Sequence, residues 1–247
     1  MKKKGPETKT GEDNPLQPPP MIHHAVLPEG AEIDDEGLWV QLLRRPEGPA
    51  LRPALFLDRD GVIVDEVDHL SQAADVRLID GAAEVIAAAN RRGFPVVVVT
   101  NQSGIGQGLF AWDAFIDVQN RILGDLAAEG AFVDGVFACP HHPKALPPYD
   151  HPDHPARKPN PGMLLRAAER LALDLSTSWI IGDRTRDLAA GRRAGLAGGL
   201  LVSTGYGDQQ DEREAALALA KGGEFRVLVG ASVAAALTTI PLFGGPR

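Results

Sequence analysis

The 247-residue chain has one cysteine, Cys139, so no intramolecular disulfide can form and no disulfide framework marks its compartment. Long apolar runs are missing, and nothing in the sequence is long enough to span a bilayer as a hydrophobic helix. The basic start, Met1-Lys2-Lys3-Lys4, leads into Gly, Pro, Glu and Thr rather than an apolar stretch, which argues against a secretory signal. Positive charge is also scarce. Lys and Arg total 25 against 33 Asp and Glu, a net charge of −8, which argues against broad binding to nucleic acid or a membrane surface. The expectation is a cytoplasmic, monomeric protein with a small-molecule partner and no nucleic-acid or membrane partner.

The chain is 44% apolar, enough to bury the core of one α/β domain. Residues 1–30 are polar and proline-rich, including Pro18-Pro19-Pro20, and read as a loosely packed arm. Residues 31–52 read as an added edge strand, Gly37–Leu43, with a linker. The domain proper is expected over 53–240. Its strands are read at Pro53–Leu57, Pro95–Thr100, Phe132–Ala138, Trp179–Gly182 and Gly199–Val202, with a short one at Phe225–Val229. The run Pro95-Val96-Val97-Val98-Val99-Thr100 is β-branched without alternation, as in a strand covered on both faces. Helices are read at Gly81–Arg92, Ala111–Glu129, Pro161–Leu173, Thr185–Ala194, Asp211–Lys221 and Ala231–Thr239. This alternation predicts a doubly wound parallel sheet with right-handed crossovers, order 3-2-1-4-5, and no insertion of cap-domain size.

In such sheets ligands sit beyond the carboxyl ends of the strands, where the order reverses. Polar residues collect there: Asp58 and Asp60 after the first strand, Thr100-Asn101-Gln102-Ser103 after the second, Asp183-Arg184 after the fourth. The order predicted above makes the first and fourth strands neighbours, so Asp58, Asp60 and Asp183 converge. Carboxylates resist desolvation unless something positive meets them, and a hard cation with oxygen ligands, Mg²⁺, suits such a set. Asp58, Asp183 and the backbone carbonyl of Asp60 are the expected ligands. A cation, the Arg157-Lys158 pair and the hydroxyl and amides at 100–102 fit a phosphoryl group better than a carbonyl.

Four segments carry a family resemblance: Phe56-Leu57-Asp58-Arg59-Asp60-Gly61, Thr100-Asn101-Gln102-Ser103-Gly104-Ile105, Arg157-Lys158-Pro159-Asn160-Pro161-Gly162-Met163 and Gly182-Asp183. Over residues 53–203 the chain resembles the haloacid-dehalogenase-like (HAD) phosphatases, in the subgroup of heptose-bisphosphate phosphatase and histidinol-phosphatase. The resemblance implies Asp58 as nucleophile, forming an aspartyl-phosphate, and Asp60 as general acid/base. Thr100 and Lys158 would hold the transferring phosphoryl group, and Asp183 would complete the Mg²⁺ site. Arg157, Asn101, Gln102, Ser103, Arg184 and Glu66 would meet the substrate. Asp187, four residues after Asp183, fits either a further ligand or a first-turn acid favoured by the helix dipole. Arg59, between the two acids, is expected to point away from them.

Two departures from the family pattern stand out. Relatives carry a zinc loop with Cys-x-His and then Cys-x-Cys before Arg-Lys-Pro. Here Cys139-Pro140-His141 remains, but His154-Pro155-Ala156 precedes Arg157. A Cys139, His141, His151, His154 zinc set is one reading; a loop stiffened by Pro143, Pro147, Pro148, Pro152 and Pro155 is the other. The second departure is Gly106-Gln107-Gly108, where the family reads Ala-Arg-Gly, so a charge is missing near the site. The leading expectation is a Mg²⁺-dependent phosphomonoesterase acting on a heptose bisphosphate. Histidinol-phosphatase or another small phosphomonoesterase is the alternative, and a non-catalytic phosphate-binding module is the outlying one.

Overall fold

A computed structural model describes residues 26–44 and 50–245. The arm expected over 1–30 falls mainly on residues 1–25, and part of the expected linker on 45–49; both stretches lie outside the described residues.

Eight strands form one sheet: β1 (Ala31–Ile33), β2 (Trp39–Leu42), β3 (Leu55–Leu57), β4 (Val96–Asn101), β5 (Gly135–Cys139), β6 (Trp179–Gly182), β7 (Gly198–Val202) and β8 (Arg226–Gly230), in the order β1-β2-β5-β4-β3-β6-β7-β8. The six strands from β3 onward pair in parallel, and their order reproduces the expected 3-2-1-4-5 with β8 added at one edge. At the other edge β1 and β2 add antiparallel. The segment read as a single edge strand therefore lies inside the edge, covered by β1.

The helices are α1 (Ala82–Arg91), α2 (Ser103–Gly106), α3 (Trp112–Ala128), α4 (Gly162–Leu171), α5 (Thr185–Ala194), α6 (Gln210–Ala218) and α7 (Ala236–Thr239). The last helix differs from the reading over 231–239: Val233–Ala235 is a 3₁₀ turn, and only one α-helical turn follows.

Strand residues alternate between two cores, one on each face. Leu55, Leu57, Val96, Val98, Val136, Ala138, Leu200 and Val202 face a cluster with residues of α1 and α3. Phe56, Val97, Val99, Phe137, Cys139, Ile180 and Leu201 face a cluster with residues of α4, α5 and α6. Burial on both faces accounts for the near-continuous aliphatic strands. The topology reverses between β3 and β6. Their register pairs Leu57 with Ile181, so Asp58 and Asp183 emerge together at the carboxyl ends. Asp58 N–H donates to the Ile181 carbonyl at 2.9 Å, which fixes where the first acid leaves the sheet.

Candidate active site

A cavity of about 160 Å³ opens at these strand ends, lined by Asp58 and Asp60 below and by Glu66, His69, Arg184 and Arg186 around the mouth. Asp58 is 4% exposed, and Asp183 and Lys158 are each 1% exposed. The Lys158 ammonium lies 3.0 Å from Asp58 Oδ1 and 2.6 Å from Asp187 Oδ1, and donates to the Val99 carbonyl at 2.7 Å. All three of its protons are thus engaged. Burial alone pulls this amine down, but the charges of Asp187 and Asp58 outweigh burial and hold it above its ordinary value, protonated. Asp58 Oδ1 also accepts from Arg59 N–H at 2.7 Å, so the nucleophile candidate is held through one oxygen.

Asp60 is held by two side chains. Arg59 Nε donates to its two oxygens at 3.1 and 3.2 Å, and Gln102 Nε2 donates to Oδ2 at 3.0 Å. Arg59 therefore does not turn away from both acids as strand alternation predicted. The strand stops at Leu57, so alternation no longer governs the turn that follows, and a guanidinium 1% exposed pairs with the nearest carboxylate. Gln102 Nε2 reaches Thr100 Oγ1 as well, at 2.9 Å, linking Thr100 to Asp60. Asn101, expected at the substrate, lines the cavity, and its amide also clamps the backbone of Lys158, donating to the carbonyl at 3.0 Å and accepting from N–H at 3.1 Å. Ser103 opens α2 and lines the cavity. Arg157 is absent from the cavity wall and donates to the His141 carbonyl at 2.8 Å.

Asp58, Asp183 and Asp187 bring carboxylate oxygens within 4.8 Å of one another. Burial, and then the charges of Asp58 and Asp187, push the Asp183 carboxyl up to about 8. The cluster is short of positive charge and consists only of oxygens, so it fits a hard divalent cation. Two glycines make room for it. Gly61 has φ +76°, and a Cβ there would lie 2.8 Å from Asp183 Oδ2; Gly205 has φ +72° and a Cβ there would collide with the same oxygen. Of the two roles read for Asp187, its contacts show the first-turn acid: its Oδ2 accepts from Arg184 N–H at 3.0 Å, while its Oδ1 meets Lys158.

The zinc set is not assembled. Cys139 ends β5 fully buried in a hydrophobic core, where burial pushes its thiol up to about 12. Among the described residues, the three aspartates are the only group of three or more such side chains with ligand atoms gathered for one ion. The His141 and His154 rings instead stack at 3.7 Å and 4°. His141 Nε2 donates to the Glu36 carbonyl at 2.7 Å, and His154 Nδ1 accepts from Ala156 N–H at 3.1 Å. The donor types suit zinc but their ligand atoms are not gathered for one ion; backbone hydrogen bonds and ring stacking tie the loop.

The segment after β7 was missed. Thr204 Oγ1 donates to the Gly61 carbonyl at 2.6 Å, Tyr206 N–H donates to Asp183 Oδ2 at 3.0 Å, and Tyr206 lines the cavity. Applying the strand-end rule to the fifth strand points to this turn. Arg186 was missed too, because an arginine inside a helix carries no motif.

Comparison with known proteins agrees with this geometry. Residues 155–221 match the HAD-hydrolase-like family model. The chain is 51% identical over 170 residues to D-glycero-beta-D-manno-heptose-1,7-bisphosphate 7-phosphatase of Mesorhizobium japonicum, covering 69% of this chain and 78% of that one. The chain belongs to the heptose-bisphosphate phosphatase family of HAD phosphatases. Another member, from Burkholderia mallei, is named for the alpha anomer and is 41% identical over 149 residues, covering 60% of this chain and 79% of the other. The crystal structure of D,D-heptose 1,7-bisphosphate phosphatase from B. bronchiseptica, complexed with magnesium and phosphate, superposes with TM-score 0.61 at 34% identity, covering 74% of this chain and 94% of that one. No helix among the described residues is long and apolar enough to cross a membrane.

Proposed function

We propose that the protein is a Mg²⁺-dependent D-glycero-D-manno-heptose 1,7-bisphosphate 7-phosphatase. The observation that carries the chemistry is Asp58, buried at the cavity floor 3.0 Å from the Lys158 ammonium with Asp60 two residues away. A carboxylate oxygen of Asp58 attacks phosphorus, and the phosphorus–oxygen bond to the sugar breaks. Asp60 gives its proton to the departing sugar oxygen. Asp60, now ionised, takes a proton from water as that water attacks the aspartyl-phosphate, which releases inorganic phosphate and frees Asp58. Lys158 balances charge beside the Asp58 carboxylate, and Thr100 lies alongside, linked to Asp60 through Gln102. Mg²⁺, held by Asp58, Asp183 and the Asp60 carbonyl, would add positive charge against the phosphoryl oxygens.

A cavity of about 160 Å³ admits a phosphoryl group and its ester carbon but not a whole sugar bisphosphate. The rest of the substrate lies across the mouth, against Glu66, Val67, Asp68, His69, Arg184 and Tyr206. The domain runs over 53–240, with 31–43 adding the two antiparallel strands at its edge.

The test is phosphate release with Mg²⁺ from both heptose bisphosphate anomers, histidinol phosphate, fructose 1,6-bisphosphate and a 3′-phosphorylated oligonucleotide. One heptose anomer is expected to lead in kcat/KM by at least about tenfold, and Asp58→Asn to lose at least about a thousandfold in kcat. A lead for another ester would refute the substrate, and an active Asp58→Asn would refute the mechanism.

A further inference from the structure

The two acids that follow β3 each face a buried cation of their own. Lys158, whose three protons are engaged by Asp58, Asp187 and Val99, serves the nucleophile. Arg59 serves Asp60. Its Nε donates to both carboxylate oxygens, and its Nη2 lies 3.1 Å from Oδ1. Asp60 is its sole ion-pair partner among the described residues, and its Nη1 is buried with no hydrogen-bond partner. Its guanidinium carbon also stands 5.6 Å from the centroid of the Phe115 ring, which is fully buried in α3 and holds the charge in place.

Withdrawing a guanidinium from water is costly, and one ion pair with a carboxylate that keeps 19% of its side-chain surface exposed is a poor return in stability. The reaction gives the pair a use. When the phosphorus–oxygen bond breaks, its electron pair stays on the sugar oxygen, and that oxygen takes the Asp60 proton. Asp60 is left as a carboxylate. A fixed guanidinium beside it meets that negative charge as it develops, with no water to reorganise. Gln102, the other side chain on Asp60, is neutral; its amide sets direction by donating to Asp60 Oδ2 and Thr100 Oγ1 and adds no charge.

We propose that Arg59 is a positioning residue for the leaving-group step. It holds the Asp60 carboxyl in one orientation at the cavity and offsets the charge that Asp60 acquires on giving up its proton. This rests on the Asp58 and Asp60 mechanism proposed above and is independent of which sugar is the substrate.

Two classes of ester separate this role from a structural one. A sugar phosphate needs a proton on its leaving oxygen, whereas 4-nitrophenolate departs as a stable anion. At initial rates kcat/KM counts events only up to release of the leaving group, so hydrolysis of the aspartyl-phosphate does not enter. The experiment measures kcat/KM with Mg²⁺ for heptose 1,7-bisphosphate, fructose 1,6-bisphosphate and 4-nitrophenyl phosphate. The proteins are the unsubstituted chain, Arg59→Met, Arg59→Lys, Asp60→Asn and the double variant Arg59→Met with Asp60→Asn. The ratio of sugar to aryl kcat/KM is expected to fall about tenfold to a hundredfold in Arg59→Met, with partial recovery in Arg59→Lys. In the Asp60→Asn background, Arg59→Met is expected to change that ratio by less than about twofold, because Arg59 acts through Asp60. Equal losses on sugar and aryl esters in Arg59→Met would assign a structural role and overturn the proposal. An undiminished effect in the Asp60→Asn background would place Arg59 on the substrate itself and overturn it too. Turnover of fructose bisphosphate without heptose bisphosphate would refute the sugar named above, while the fructose-to-aryl ratio would still decide the role of Arg59. A chain that hydrolyses none of the three would overturn both.

Discussion

Lys158 and Asp187 form a pair with no exposed side-chain surface, and Asp58 is the third member. Breaking a buried pair from one side leaves an uncompensated charge, which typically costs about 3–5 kcal/mol. Asp187→Asn is therefore expected to lower the stability measured by urea unfolding by about that much. It should also lower kcat, because Lys158 loses the partner that aims it at Asp58. Asp187 does more than hold a charge: its capping contact on the Arg184 N–H starts α5, the helix that carries Arg186. Unchanged stability in Asp187→Asn would show that Lys158 is held by Asp58 and Val99 alone.

At the scale of elements, the loop over 140–161 connects the strand end of β5 to Arg157 and Lys158 through its histidines. Arg157 N–H donates to the His154 carbonyl at 2.9 Å, and the His154 ring is stacked on His141. Burial, and then the neighbouring His141 and His151, lower the His154 imidazole to about 4. The unfolded chain binds this proton near 6.5 and the folded one near 4, so folding favours the neutral ring. The stabilisation is complete above about pH 6.5 and is lost as pH falls toward 4. Thermal unfolding followed from pH 7 to pH 4 should show Tm falling over that interval, and His154→Phe should flatten the fall. A profile of equal slope in the variant would assign the acid sensitivity to other groups.

At the scale of the molecule, the hairpin of β1 and β2 pairs with β5 through β2, and its largest buried side chain anchors it to a helix. Trp39 is fully buried, with ring centroids 5.5 Å from Trp112 and 5.2 Å from Phe115, joining the N-terminal addition to α3. Ion pairs of Arg166 with Asp34 and Glu36, and of Arg170 with Glu32, are exposed or half-exposed and add little. Trp39→Ala is expected to lower stability by about 3–5 kcal/mol, read from denaturant midpoints, with kcat retained at low temperature. A loss of kcat without loss of stability would instead tie the hairpin to catalysis, through Glu36 and His141.

Sequence alone determined the strand and helix alternation, the carboxyl-end clustering of Asp58, Asp60, Thr100 and Asp183, and the family chemistry. These follow from local periodicity and from side chains set next to strand ends, which the chain order carries directly. Tertiary structure decided whatever depends on which segments meet. The turn at 203–207 closes on Asp183 because β7 pairs beside β6. Asn101 serves Lys158 because β4 ends beside the loop 57 residues away. The direction of Arg59 and the stack that takes the place of a zinc set depend on distances between residues remote in the chain. No local pattern encodes those distances, because burial and charge pairing are properties of the packed whole.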